Sequence, residues 1–323
     1  MVDIKLHFEA MKPHLRAIKN CWLLWSAECR ASTTNQNNQT ETRLIAFIIG
    51  CGRSGTTLLG DVFAQHPQVN YLFEPYHLWA AIERRTDVLN LFHRVEGSLL
   101  MNASDYNEQS HRRFNCLIAG AGNRNPGKLV IEKTPLNALR IGYIEALAPG
   151  AKFVHIVRDG VDVCASIAKL ASTNSYKIAG KPALNQWWGV DDAKWKALVR
   201  DGTAAGYYAD EVHYLQNHLS RGAYEWLVSL REIDRWRAAL GNRLTELTYD
   251  ALTTNPQSYL KLLCGFFQID ASPSWIDAAA SLIDSPRLHR GINLSLPPTM
   301  CEDFNRYQER YGFVNRATCM WKS

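Results

Sequence analysis

The chain has 323 residues, 46% of them hydrophobic and 21% charged, enough apolar content to bury one large α/β core or two small ones. Its formal net charge of +5 is too small to argue for a nucleic-acid partner, though it suits a pocket that gathers anionic groups. No apolar run is long enough to cross a bilayer, and the amino terminus lacks the pattern of a secretory signal. The eight cysteines are scattered, with no C-x-x-C pair and no metal-ligand spacing, so a cytoplasmic chain with reduced thiols and no bound metal is expected.

In chain order, Leu6, Met11, Leu15, Ile18, Trp22, Leu23 and Trp25 recur at helical spacing. They predict an amphipathic helix within residues 1–30, which packs on the main body or meets a membrane surface or a partner. Residues 31–42, rich in Ser, Thr, Asn and Gln, read as a polar linker, and 43–323 as one domain. The run 44–49 is continuously apolar and ends in glycine, the pattern of a strand buried on both faces. Similar strands are predicted at 128–131, 152–157 and 243–248. Helices are predicted at 57–65, 138–147, 161–170 and 224–240, with others at 259–267 and 301–311. Strands alternating with helices imply right-handed crossovers. The expected fold class is α/β: a phosphate-loop-like, doubly wound, mostly parallel sheet with helices on both faces.

The densest local signal follows the first strand: Gly50-Cys51-Gly52-Arg53-Ser54-Gly55-Thr56-Thr57. A strand running through a glycine-rich turn into a helix turns backbone N–H groups and the helix dipole toward one point, where an anion is favoured. The spacing meets G-x-x-x-x-G-K-[ST] except that Thr56 replaces the lysine, and a cation, Arg53, stands inside the loop instead. ATP and GTP enzymes use that lysine with a bound magnesium. The departure favours a different phosphate-bearing donor over an atypical phosphate-loop kinase or a catalytically silent scaffold.

Three further segments supply side chains. Glu74 lies in the apolar and aromatic stretch Tyr71-Leu72-Phe73-Glu74-Pro75, where a carboxylate is expected to bind a proton more tightly and suits a general base. Lys133 leaves the predicted strand at 128–131 at its carboxyl end, facing the crevice where open α/β sheets bind ligands. Arg158 leaves the strand at 152–157 at the same end, and Ser166 follows on the next helix, a pair suited to a second phosphate. Asp159 between them reads as a helix cap.

Taken together, these segments resemble the PAPS-dependent sulfotransferase family, PAPS being 3′-phosphoadenosine 5′-phosphosulfate. Residues 50–57 look like its 5′-phosphosulfate loop. The segment from Val157-Arg158-Asp159 to Ser166 looks like its 3′-phosphate motif, and Thr248-Tyr249-Asp250-Ala251-Leu252 resembles a family segment that implies Tyr249 beside the adenosine. The Glu74-Pro75 segment with Trp79 is similar to that of carbohydrate 6-O-sulfotransferases, and Lys133-Thr134-Pro135 resembles a motif of tyrosylprotein sulfotransferases. The resemblance implies Gly52, Arg53, Ser54, Gly55, Thr56, Thr57, Arg158, Ser166, Tyr249 and Arg290 as PAPS ligands. It further implies Glu74 as base with Arg53 and Lys133 on the transferring group, and adenosine 3′,5′-bisphosphate (PAP) as product. The acceptor is a hydroxyl, expected on a carbohydrate or glycoconjugate. A tyrosine or small-molecule hydroxyl stays open, as does self-association. Tyr176, Trp187, Trp188, Trp195, Tyr207 and Tyr208 are aromatic candidates for acceptor contact, or equally for lid and core.

Overall fold

The computed structural model describes residues 2–33, 44–93, 95–124, 128–173, 186–283 and 292–321. Five strands form one parallel sheet: β1 (Ile45–Ile49), β2 (Val69–Phe73), β3 (Leu129–Lys133), β4 (Lys152–Val157) and β5 (Leu244–Thr248), in the spatial order β2-β3-β1-β4-β5. The helices are α1 (Val2–Thr33), α2 (Thr56–Ala64), α3 (Tyr76–Ile82), α4 (Glu108–Leu117), α5 (Ile141–Leu147), α6 (Gly160–Thr173) and α7 (Ala193–Ala204). They continue with α8 (His218–Leu240), α9 (Tyr249–Thr254), α10 (Pro256–Phe267), α11 (Pro273–Ala280) and α12 (Pro298–Arg310). Two short strands, β6 (Ser295–Leu296) and β7 (Thr318–Cys319), pair separately.

β1 is central, and all five of its side chains are buried because each face of the sheet carries helices. Ile45, Phe47 and Ile49 point into a core shared with α3, α4 and α5, where Phe47 stacks on Phe153 at 5.5 Å. Ala46 and Ile48 point the other way, toward Leu59, Phe63, Leu260 and Phe267 of α2 and α10. This alternation is the period-2 geometry of a strand applied to an unbroken apolar run. A third cluster lies beyond the carboxyl ends of the strands, where α8 packs on α6 and α12 through Trp226 and Phe304, whose rings are 4.7 Å apart.

The expected α/β class and the parallel doubly wound sheet are borne out, and four strands fall where the pattern placed them. β2 was not among them. It is an edge strand with one buried residue, and its sequence, Val-Asn-Tyr-Leu-Phe, carries no continuous apolar signal. The helix expected over 138–147 begins only at Ile141, since Pro135–Leu139 winds as a 3₁₀ turn. α8 starts earlier than its apolar pattern, at His218, because Asn217 caps it by accepting the Ser220 N–H at 2.9 Å. α1 runs to Thr33, so the first residues of the expected linker are helical, while 34–42 lie outside the described residues. The reduced state expected of every cysteine fails at Cys301 and Cys319, which form a disulfide joining α12 to β7, a bond characteristic of oxidising compartments. Among the described residues no helix is long and apolar enough to cross a membrane.

The start of α6 is built for close packing. A Cβ at Gly160 would stand 2.6 Å from Cζ of Phe304 and 3.0 Å from Cε2 of Trp226, both buried rings. Gly160→Ala is therefore expected to cost about 1–3 kcal/mol of stability, read as a lowered denaturant midpoint; an unchanged midpoint would contradict this packing.

Candidate active site

The carboxyl ends of β1, β2, β3 and β4 converge, as parallel pairing requires. β1 ends in the loop 50–55, and Gly55 opens α2 with φ of 99°, a left-handed conformation that side-chain-bearing residues avoid. A Cβ there would also stand 2.4 Å from Tyr249 Cδ2, so the ring seals this side of the loop. Gly52 is similarly closed by Trp187, whose Cη2 would be 2.7 Å from an added Cβ. The first turn of α2 offers N–H groups that the helix cannot use internally, and no side-chain cap takes them. Ser54 Oγ is buried without a partner, as expected for a hydroxyl whose acceptor is a ligand.

The side chains flanking the loop form two groups. In the first, Phe73 of β2 lies opposite Lys133 of β3. Lys133 is fully buried. Its Nζ donates to Thr57 Oγ1 at 3.0 Å and to Glu74 Oε1 at 2.5 Å, and sits 4.1 Å from the centre of the Phe73 ring. Burial lowers the Lys133 pKa, opposed by the Glu74 carboxylate. Glu74 has φ of 40°; its N–H donates to the Lys133 carbonyl at 2.8 Å, so the strained residue is held by the end of the neighbouring strand. The apolar setting expected for Glu74 is thus replaced by an ion pair on one side and a partly open cavity on the other.

In the second group, Arg158 Nη2 donates to Asp162 Oδ2 at 3.1 Å and its guanidinium lies 4.8 Å from the centre of the Tyr249 ring. Arg158 Nη1 approaches the Arg53 carbonyl at 3.4 Å, and Arg53 Nε donates to Ser166 Oγ at 3.0 Å. The structure therefore brings Arg53, Arg158, Ser166 and Tyr249 together. Arg53 also lines the cavity that holds Glu74, yet its guanidinium reaches Ser166 rather than Lys133. Asp159 is the cap anticipated from sequence: it accepts the Val161 N–H at 2.8 Å and is fixed by Gln308 Nε2 at 2.9 Å and Asn315 Nδ2 at 2.8 Å. Arg290 and Tyr176 lie outside the described residues.

A cavity of about 300 Å³ opens beside the loop, walled by Gly52, Thr57, Phe73, Glu74, Tyr76, Pro135, Trp187, Lys194 and Glu225 among others. Of the aromatic candidates, Trp187 alone among the described residues lines it; Trp188 and Tyr208 are buried in the core, and Trp195 and Tyr207 pack against it. The far wall holds residues that the sequence did not disclose. Lys194 Nζ donates to Glu225 Oε1 at 2.6 Å with both side chains buried, and Trp187 Nε1 donates to Glu225 Oε2 at 3.1 Å. Nothing in sequence separates Lys194 and Glu225 from ordinary helix-surface charges; only their burial does.

A strand–loop–helix turn, with a lysine–carboxylate pair on one side and an arginine–serine pair on the other, thus stands at the carboxyl ends of the strands of this α/β protein. Comparisons give the class a family. Residues 46–273 match the sulfotransferase family. The nodulation protein NoeE of Sinorhizobium fredii is 26% identical over 141 residues, 38% of this chain and 31% of that protein. Human carbohydrate sulfotransferase 5 is 40% identical over 45 residues, 14% of this chain and 11% of that protein. The chain thus matches about a third of the length of the first and about a tenth of the second. The sulfotransferase domain of the Synechococcus PCC 7002 olefin synthase has a similar fold, with a TM-score of 0.52 and 20% identity over 88% of this chain and 100% of that domain. The chain belongs to the sulfotransferase family.

Behind the cavity, Glu132 is fully buried on the opposite face of β3 from Lys133. It accepts from Thr134 Oγ1 at 2.5 Å, Asn137 Nδ2 at 2.6 Å and Trp79 Nε1 at 2.9 Å, which fixes the turn after Lys133. Burial pushes its pKa up to about 7, against the lowering effect of these hydrogen bonds. The folded state then binds this proton more tightly than the unfolded chain. Glu132 favours folding at pH below about 4.5, and that contribution is lost as pH rises toward 7. Glu132→Gln is expected to flatten the decline of unfolding free energy across this window by on the order of 1–3 kcal/mol. Denaturant titrations at several pH values check it; identical slopes in variant and parent would contradict the assignment.

Proposed function

We propose that the chain, with a catalytic unit spanning residues 43–323, transfers the sulfuryl group of PAPS to an acceptor hydroxyl and releases PAP. The observation that carries this reading is the contact of Lys133 with both Glu74 and Thr57 at the mouth of the phosphate loop. The glycine cradle, the partnerless Ser54 hydroxyl and the cationic donors fit a nucleotide with phosphates at both ends of its ribose. Gly52, Arg53, Ser54, Gly55, Thr56 and Thr57 would hold the 5′ end. Arg158 and Ser166 would hold the 3′-phosphate, with Tyr249 beside the adenosine. Bound PAPS supplies an activated sulfuryl group whose leaving group is a phosphate.

The chain's own residues do the rest. Lys133, already desolvated, places positive charge where the departing oxygen becomes negative, at no cost of reorganisation. The loop amides and Arg53 add to the same field. Glu74 faces the cavity from the other side of the lysine and accepts the acceptor's proton as the new O–S bond forms. No metal is required for this positioning and charge neutralisation.

Three rings, Phe73, Tyr76 and Trp187, line the acceptor cavity beside polar pairs, the combination that receives the apolar face and hydroxyls of a sugar. A carbohydrate acceptor is therefore favoured, in keeping with the name of the human relative.

Glu74→Gln is expected to leave PAP affinity nearly unchanged while transfer falls ~10²–10⁴-fold, measured with radiolabelled PAPS over a panel of sugar and phenol acceptors in EDTA. Near-parental turnover would remove Glu74 from the chemistry, and transfer to phenols alone would replace the carbohydrate reading. Arg158→Ala is expected to weaken PAP binding by roughly tenfold or more, as loss of a charged hydrogen bond does. Calorimetry checks this, and an unchanged dissociation constant would refute the 3′-phosphate site.

A further inference from the structure

Two charges on the far wall of the cavity are used neither by the proposed donor site nor by the proposed proton transfer. Lys194, in the first turn of α7, and Glu225, in α8, have side chains only 5% and 3% exposed, yet both line the cavity. Replacing a buried ion pair by apolar residues of similar volume is often neutral or stabilising, so stability alone does not account for one here. The backbone that delivers Lys194 is strained. Gly189, Asp191 and Asp192 have φ of 80°, 54° and 59°, and a Cβ at Gly189 would stand 3.0 Å from the Lys194 nitrogen. Left-handed conformations at residues that carry side chains are costly to hold and gather at functional sites. Trp187 completes the wall. Its ring centre lies 4.4 Å from Lys194 Nζ, and its Nε1 donates to Glu225 Oε2.

The hydrogen-bonding capacity of this wall selects a ligand. An ionised carboxylate only accepts, and each Glu225 oxygen takes one donor, Lys194 Nζ on Oε1 and Trp187 Nε1 on Oε2. Each oxygen can take a further donor, and a hydroxyl next to the reacting one supplies it. Lys194 has N–H groups beyond the one given to Glu225, suited to an oxygen of the same ligand. A polyol engages both residues. A phenol whose one hydroxyl meets Glu74 engages neither. The charge balance narrows the class further. Among the described residues around the cavity, Lys133 and Lys194 each hold a carboxylate partner, and Arg53 turns to Ser166. A carboxylate or sulfate on the acceptor would stand near Glu74, Glu225 and the anionic donor with no spare cation to meet it. An uncompensated charge in such a place is costly.

We propose that Lys194, Glu225 and Trp187 read the acceptor, holding neighbouring hydroxyls of an uncharged sugar and disfavouring anionic sugars. This rests on the sulfuryl-transfer reading above and adds the acceptor's charge and the residues that sense it. The test measures initial rates of transfer from PAPS by the full chain to neutral methyl glycosides, the matching methyl hexuronosides and p-cresol. The parent is expected to show kcat/KM at least about tenfold higher on the neutral glycosides than on the uronosides. Glu225→Gln leaves Lys194 without its counter-charge and should shift that ratio toward uronosides by roughly tenfold. The double substitution Lys194→Met with Glu225→Gln removes both charges at similar volume, which keeps the test sound if the single variant misfolds. It should raise KM for neutral glycosides by roughly tenfold or more, as loss of charged hydrogen bonds does. Its kcat and PAP dissociation constant should change by less than about threefold, the pattern of lost ground-state binding. No transfer by the parent to any acceptor would sink the sulfuryl-transfer reading and this inference with it. Transfer to neutral glycosides with KM unmoved in the double variant, or with the ratio unmoved in a folded Glu225→Gln, would overturn the wall's role alone. So would a parent that prefers uronosides or p-cresol.

Discussion

One buried ammonium group ties the site together. Lys133 Nζ touches Thr57 at the start of α2 and Glu74 at the end of β2 while its own chain forms the end of β3, so three elements meet on a single charge. A lysine removed from water needs such partners, because an unpaired buried cation is costly. The parallel register delivers them: Phe73 is set opposite Lys133, which leaves Glu74 as the first residue past the sheet. The same register explains why the carboxylate can stay beside the cation in a left-handed conformation, anchored by the Lys133 carbonyl. A lysine held against the glycine-rich loop and a carboxylate facing the cavity are consequences of one strand pairing.

The group formed by Arg158 and Ser166 depends on packing further back. Arg158 and Ser166 straddle the start of α6, and that turn is fixed by Asp159, by Gln308 of α12 and by Asn315. Gln308 also accepts the Gly160 N–H at 2.9 Å, and Trp226 Nε1 donates to the Arg158 carbonyl at 3.2 Å. The Cys301–Cys319 bond closes the segment that carries Gln308 and Asn315. Residues of α12 and the segment after it therefore brace the turn that carries Arg158, the proposed 3′-phosphate ligand.

Much of this was readable from residues alone, for physical reasons that differ by element. The strand–loop–helix turn at 50–57 was legible because glycine spacing and strand-to-helix order are both local, and Gly55 has the positive φ that glycine tolerates. Arg158, Asp159 and Ser166 were legible because a buried apolar strand announces its own carboxyl end. β2 was hidden by its place at the sheet edge, where one face of a five-residue strand stays half open. The surroundings of Glu74 were misjudged, since neighbours in sequence are apolar while the decisive neighbour, Lys133, is distant in the chain. Lys194 and Glu225 gave no signal, because a buried ion pair across two helices has no one-dimensional trace. Of the described aromatic candidates in the tryptophan- and tyrosine-rich stretch, Trp188 and Tyr208 belong to the core, Trp195 and Tyr207 pack against it, and Trp187 lines the cavity.

A crystal of the protein with adenosine 3′,5′-bisphosphate tests the central assignment most directly. The expected density places the 5′-phosphate against the amides of residues 52–57 and the 3′-phosphate between Arg158 and Ser166, with Tyr249 beside the base. Nucleotide bound anywhere else, with the loop at the end of β1 left unengaged, would contradict it.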